Sequence, residues 1–67
     1  MQPPSGKELV RILERLGWTL HHVSGSHHIM KHKDGRVTTV PVHGNRPLKQ
    51  GTYSAIRKQA GIPAKVQ

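Results

Sequence analysis

The sequence contains no cysteine and only three acidic residues, Glu8, Glu14 and Asp34. The lack of cysteine excludes disulfide bonds and cysteine-ligated zinc. Three carboxylates leave almost nothing for a paired-carboxylate mechanism, and they supply too few oxygen ligands for a two-metal nuclease. Two of them also have structural roles, since Glu8 is placed to cap a helix and Asp34 to form a turn. Histidine is therefore the remaining candidate for proton transfer.

Long apolar runs are absent, and the N-terminal segment has no apolar core of the kind found in signal peptides. We therefore expect a cytoplasmic protein with no membrane association. Aromatic side chains are also scarce, because Trp18 and Tyr53 are the only two. If the chain binds a nucleic acid, base stacking would then be sparse, and contacts to phosphate with weak sequence preference would dominate.

Positive charge is what the chain has in excess. Eleven lysines and arginines give a formal net charge of +8 in 67 residues, which is typical of a protein that binds polyanions. Nucleic acid is the first candidate partner and an anionic membrane surface the second, while a merely solvated basic surface is the alternative. We expect one domain over residues 1–67, and a domain of this size has to carry its chemistry on the surface.

Two helices are predicted, one near each end of the chain. Ser5 and Glu8 have the spacing of a capping box, and the apolar period predicts a first helix at about residues 6–16, ended by Gly17. The stripe expected to face the sheet consists of Leu9, Val10, Leu13 and Leu16. A second helix is predicted from about 51 to 60, with Ile56 and Ala60 inward. The residues expected to end it are Gly61, Ile62 and Pro63.

Three strands are predicted between the helices, at residues 18–23, 27–33 and 36–42. Asp34-Gly35 indicates a tight hairpin with positive φ at both central positions. Pro41 cannot donate a ladder hydrogen bond, so the third strand is expected to end there or to lie at an edge. The prediction is an α+β fold of order α-β-β-β-α. A three-stranded antiparallel sheet carries both helices on one face, as in the double-stranded-RNA-binding domain.

Six histidines are candidates for the chemistry: His21, His22, His27, His28, His32 and His43. A neutral imidazole can take the proton from a ribose 2′-OH, and an imidazolium can protonate the departing 5′-oxygen. Metal binding is the alternative. Neighbouring strand residues point to opposite faces, so neither adjacent pair is expected to chelate one ion. A site that combines histidines from two strands stays open.

His27 follows Gly25-Ser26 directly, at the entry to the expected central strand, and its neighbour His28 is nearly as good a candidate on the residues alone. His21, His22 and His32 are interpreted as exposed polar positions on the sheet, and His43 as a loop residue.

The candidate RNA-binding residues are Lys31, Lys33, Arg36, Lys49, Arg57 and Lys58. A further basic face on the first helix, consisting of Lys7, Arg11 and Arg15, is either a solvated surface or an RNA contact.

Several segments together resemble the HicA family of mRNA interferase toxins, over about residues 6–62. They are Gly17-Trp18, the run from Gly25 to Met30 with His32, Val40 to His43, Leu48 to Thr52 with Ile56, and Gln59 to Ile62. The resemblance implies the α-β-β-β-α fold, cleavage of mRNA without metal or cofactor, growth arrest, and neutralisation by a cognate HicB antitoxin. It also implies that the active histidine is the one directly after the Gly-Ser pair, which is His27.

Two features qualify this resemblance. Met30 stands where the family commonly has an aromatic residue, and no general-acid partner for His27 is evident, so a lysine, a water or a substrate group could fill that role. We expect the free protein to be monomeric. The alternative function is a non-catalytic RNA-binding module, in which His27 only contacts phosphate or packs at the strand entry.

Overall fold

The computed structural model describes residues 2–62, so the predicted helix-breaking role of Pro63 lies outside the described residues. The elements follow the predicted order α-β-β-β-α and form an α+β fold. In chain order they are α1 (Gly6–Arg15), β1 (Trp18–Ser24), β2 (His27–His32), β3 (Val37–Pro41) and α2 (Gln50–Ala60).

The three strands form an antiparallel sheet in the order β1-β2-β3, so β2 is central as predicted. The buried strand residues are Trp18, Met30, Thr38 and Val40. Met30 lies opposite Thr38, and directly opposed residues project to the same side of a sheet. One face therefore packs against both helices, and we call it the helix face. The other, the open face, carries His27, Ile29 and Lys31 of β2.

The first hairpin turn is the two residues Gly25-Ser26, and Gly25 has a φ of 59°. A positive φ at the first of two turn residues is typical of a type II′ hairpin.

The prediction for the second turn was wrong in detail. Among the described residues other than glycine none has positive φ, so Asp34 does not.

The second turn is instead a three-residue loop, Lys33 to Gly35, closed by a 2.9 Å hydrogen bond from the His32 N–H to the Arg36 carbonyl. Only Gly35, with a φ of 98°, takes the left-handed position of this loop type. The Asp34 carboxylate accepts the Arg36 backbone N–H at 3.0 Å, which stabilises the loop without requiring positive φ at Asp34.

Helix α1 begins with the predicted capping box. The Ser5 side chain accepts the Glu8 N–H at 3.2 Å, and the Glu8 carboxylate accepts the Ser5 N–H at 2.9 Å. Leu9 and Leu13 are fully buried, as predicted, but Leu16 is 41% exposed. The expectation for Leu16 was wrong because the helix ends at Arg15. Leu16 is the C-cap, and Gly17 with a φ of 94° turns the chain toward β1.

Helix α2 covers the β3 side of the sheet. Ile56 and Ala60 are buried, as predicted. Gly61 ends the helix in the left-handed conformation, with a φ of 69°. The Ile62 N–H donates to the Arg57 carbonyl at 2.9 Å, and the Ile62 side chain joins the core. This is the hydrogen-bond pattern of a Schellman motif.

The segments that flank α1 and α2 also meet. Ser5 and Pro47 form an isolated antiparallel bridge, and the Leu48 N–H donates to the Pro4 carbonyl at 2.9 Å. Gly6 lies against the end of β3, where an added Cβ would collide with the Pro41 carbonyl oxygen. Among residues 2–62, no helix has the length and apolar character needed to cross a membrane.

Candidate functional site

His27 is the first residue of the central strand and is exposed on the open face. Its backbone lies between Ser24 of β1 and Pro41 of β3. The turn before it is also attached to the residue that follows β3, because the Val42 N–H donates to the Ser26 carbonyl at 2.7 Å. Pairing on both sides fixes the backbone of His27 while its imidazole stays accessible, which is the arrangement a surface acid–base group needs.

His28 projects to the helix face, opposite Val23 on one side and the buried Val40 on the other. Its side chain is half-buried, and its Nδ1 is buried with no hydrogen-bond partner among the described residues. The two neighbouring histidines therefore have different surroundings. An RNA strand lying on the open face could reach His27 but not His28.

His21 and His22 are exposed, as predicted, but the expected alternation between them was wrong. The register of β1 shifts between Leu20 and His22, which makes a β-bulge at His21. The two rings lie 5.2 Å apart in an edge-to-face arrangement, because the extra residue of a bulge interrupts strict alternation. Even so, within residues 2–62 no three histidine or acidic side chains come together as possible metal ligands.

The candidate RNA-binding residues do not form one cluster around His27. Lys31 shares the open face with His27, four residues further along β2, and Lys33 follows in the next turn. Lys49 is the N-cap of α2 and is exposed. Lys58 is exposed near the end of α2. Arg57 is half-buried, with its guanidinium carbon 5.3 Å from the centre of the Tyr53 ring.

Arg36 has several structural contacts. Its Nε donates to the Asp34 carboxylate at 2.8 Å, and its guanidinium also donates to the Gln59 carbonyl at 3.2 Å and lies 5.3 Å from the Trp18 ring centre. The Arg36 backbone N–H donates to the same carboxylate and lowers the pKa of Asp34. Arg36 therefore connects the second hairpin turn to α2, in addition to any contact with RNA.

The structure corrects the interpretation of His32 as an exposed polar residue. Only 14% of its side chain is exposed. Its ring meets the Trp18 ring edge-on, with centroids 5.3 Å apart, and its Nδ1 accepts the Asp34 N–H at 3.2 Å. Strand alternation places His32 on the helix face with Met30. This alternation could have predicted from the sequence that His32 is buried, but its polar side chain suggested exposure.

The comparison with known proteins identifies the family. Residues 6–62 match the family model described as the HicA toxin of bacterial toxin–antitoxin systems. The matched segment includes all five helices and strands and every candidate residue named above. No curated protein matched the chain.

Proposed function

Since the chain belongs to the HicA toxin family of bacterial toxin–antitoxin systems, we propose that it is an endoribonuclease that cuts mRNA with His27 and without a metal. The observation that carries this proposal is the placement of His27. It is the histidine directly after Gly25-Ser26, it is exposed on the open face, and its backbone is paired on both sides.

The proposed reaction is an attack by the ribose 2′-oxygen on the adjacent phosphorus atom. A neutral His27 imidazole takes the proton from the 2′-OH, the 2′-oxygen forms a bond to phosphorus, and the bond from phosphorus to the 5′-oxygen breaks. The departing 5′-oxygen takes a proton from an imidazolium or from water. A lysine or arginine close to the cleaved bond would stabilise the negative charge that builds on the phosphate oxygens.

The surface around His27 suits a flexible polyanion. The open face is not covered by either helix, and the chain carries a net charge of +8. We propose that phosphate contacts come from Lys31, Lys33, Arg36, Lys49, Arg57 and Lys58. The α-β-β-β-α order is also that of the double-stranded-RNA-binding domain, which recognises RNA mainly by shape and backbone.

The family also implies an antitoxin partner. We propose that this antitoxin covers His27, offers acidic groups to the basic surface, and competes with RNA for it. A cognate antitoxin of HicB type would then have to dissociate before RNA could be cut. We further propose that the toxin acts in the cytoplasm, where its mRNA substrate is.

A non-catalytic RNA-binding module is the second candidate. One observation favours it: within residues 2–62, the His27 ring has no hydrogen bond to another side chain that would orient it. In this alternative, His27 contacts phosphate without moving a proton. RNA binding would then be the whole function.

The experiment that separates the two functions is His27→Ala, with His21→Ala as the matched control. Both side chains are exposed, so both variants should stay folded and bind the antitoxin. General acid–base catalysis contributes about 10²- to 10⁴-fold, so His27→Ala should lose RNA cleavage and growth arrest by that factor. His21→Ala should keep both. Cleavage by His27→Ala at the original rate would exclude His27 as the catalytic group.

A further inference from the structure

A second polar site lies at the end of β2 opposite to His27. It is an open cavity of about 380 Å³, within the range of pockets that hold small ligands. Its lining consists of Gly17, Thr19, Lys31, His32, Lys33 and Gly35. From this lining we infer a phosphate-binding pocket that holds one backbone phosphate of the RNA away from the cleaved bond. The inference rests on the proposed function, because it assigns a second contact to the same substrate.

The charges of the lining select an anion. Lys31 and Lys33 are exposed cations. Asp34 lies between Lys33 and Gly35 in the chain, and its carboxylate is already engaged by the backbone N–H and the guanidinium of Arg36, at 3.0 and 2.8 Å. Its negative charge is therefore largely compensated inside the loop. Among residues 2–62 neither lysine has an ion-pair partner, so the cavity has two positive charges that favour a phosphate.

His32 supplies a hydrogen-bond donor to the same cavity. Its Nδ1 is turned toward the Asp34 backbone N–H, which leaves the ring proton of a neutral imidazole on Nε2. If the ring is protonated, Nδ1–H can donate instead to the Asp34 carboxylate, 3.1 Å away. Nε2–H remains a donor in both states. Trp18 holds the ring edge-on, so the donor is fixed before the ligand arrives.

Two glycines keep the cavity open beside this donor. At Gly17 an added Cβ would lie 3.2 Å from the His32 Nε2, so a side chain there would crowd the donor atom. Gly17 and Gly35 also have φ values of 94° and 98°, which side-chain-bearing residues rarely adopt. The turns that end α1 and begin β3 therefore leave His32 Nε2 with access to a ligand.

The position of the pocket fits an RNA strand that also passes His27. Lys31 and His27 lie on the open face of one strand, four residues apart, which corresponds to about 13 Å. A stacked strand advances about 3.4 Å per nucleotide, so roughly four nucleotides span this distance, and fewer do if the strand is extended. One bound phosphate at this distance would fix the register of the RNA relative to His27.

The first test uses inorganic phosphate as the probe, with acetate at equal ionic strength and pH as its control. NMR signals of the His32 ring are followed, and those of the exposed His21 serve as the internal reference. The pocket predicts a saturable shift of the His32 signals with phosphate that acetate does not reproduce. Equal, unsaturable shifts at His32 and His21 would overturn the proposal, and a preference for acetate would indicate a site for a carboxylate of a protein partner.

The second test measures binding of short RNAs to His27→Ala protein, so that cleavage plays no part. A neutral methylphosphonate linkage is placed at each position in turn. One position, several nucleotides from the cleaved bond, should weaken binding about 10-fold, because a hydrogen bond to a charged group is lost. His32→Phe keeps an aromatic ring but removes the donor. When it is added to His27→Ala, the methylphosphonate at that position should no longer weaken RNA binding. Adding His21→Phe instead should leave that effect unchanged.

Lys33→Ala provides a variant that does not disturb the packed ring, with Arg46→Ala, an exposed cation in the loop before α2, as its control. Lys33→Ala should reduce the slope of log affinity against log salt by about 0.7, the contribution of one phosphate on a single strand. An unchanged methylphosphonate profile in both pocket variants would overturn the pocket even if His27 cuts RNA. If wild-type protein cuts no RNA but His32 still binds phosphate, the proposed function fails and the anion site stands.

Discussion

At the scale of single residues, the two neighbouring histidines of β2 show what sequence alone can assign. The Gly25-Ser26 turn and the strand that follows were predictable, and they place His27 at the strand entry. Which of the two histidines is accessible depends on which face of the sheet the helices cover. Alternation along a strand assigns His27 and His28 to opposite faces but does not say which face is buried. Burial of Met30 shows that the helices cover the face that carries His28, so His27 is left on the open face.

Replacing His28 tests this assignment of faces. Its Nδ1 is buried without a hydrogen-bond partner among the described residues, so His28→Leu removes an unsatisfied polar atom and keeps a side chain of similar size. We expect the free energy of unfolding to stay the same or to rise by about 1 kcal/mol, with RNA cleavage retained. Urea denaturation and a cleavage assay measure both quantities.

The control for this prediction is Met30→Ala, on the same face of the same strand. Met30 is fully buried, and its truncation should lower the free energy of unfolding by about 2–5 kcal/mol. A folded His28→Leu protein without cleavage activity would mean that His28, and not His27, is the reactive residue.

At the scale of helices and turns, two glycines occupy similar positions near a helix N-terminus but have different surroundings. Gly6 is the first residue of α1 and lies against the Pro41 carbonyl, whereas Gly51 lies in the first turn of α2 with open space around it. Neither has a positive φ. The difference comes from tertiary contact, which the sequence around each glycine does not contain.

We therefore expect opposite effects from the same substitution. Gly6→Ala should lower the free energy of unfolding by about 1–3 kcal/mol, because the added Cβ pushes α1 away from the end of β3. Gly51→Ala should raise it by about 0.4–1 kcal/mol, since alanine restricts the unfolded chain and fits the helix. Thermal or urea unfolding compares the two. Equal effects at both positions would contradict the close packing of α1 on β3.

The two structural carboxylates make these elements sensitive to acid. The hydrogen bond from the Ser5 backbone N–H is the main cause that lowers the pKa of Glu8, and the hydrogen bond with the Ser5 side chain is the second. The Arg36 backbone N–H is the main cause that lowers the pKa of Asp34. A carboxyl group with a lowered pKa stabilises the fold above its unfolded pKa, and this stabilisation is lost as the pH falls through the folded value.

We therefore expect the part of the free energy of unfolding that these two carboxylates contribute to decline below about pH 4, where carboxyl groups begin to protonate. Glu8→Gln combined with Asp34→Asn should flatten this decline, because these two groups are two of only three acidic side chains. Chemical denaturation at several pH values gives the comparison. A decline of the same size in the double variant would place the acid-sensitive interaction elsewhere.

At the scale of the whole molecule, element order and the core were largely predictable, because helical period, strand-forming runs and turn residues all indicated the same order. Three details of the sheet were not: the bulge at His21, the loop type around Asp34, and the burial of His32 against Trp18. Each depends on how one strand registers with another or on which element covers it. Such pairing is decided between distant segments, so local sequence patterns do not determine it.

Net charge is the molecular property with the most direct functional consequence. The chain has eleven lysines and arginines, and those within residues 2–62 are spread over both helices, the sheet and the turns. We therefore expect several phosphate contacts. The slope of log affinity against log salt should then be about −0.7 for each phosphate neutralised on single-stranded RNA. Titrations between 50 and 200 mM salt, roughly the range over which this effect is usually measured, provide the test. An affinity that barely changes over this range would contradict a phosphate-dominated interface.

The bridge between Ser5 and Pro47 has a consequence for the order of folding. All three strands pair with their chain neighbours across short turns, so most of the sheet forms by closing small loops, a topology associated with rapid folding. The bridge is different, because it joins segments about forty residues apart, and closing that loop costs more chain entropy. We therefore expect the meander to form first and the bridge, which docks the start of α1 beside the loop before α2, to close late and to open first.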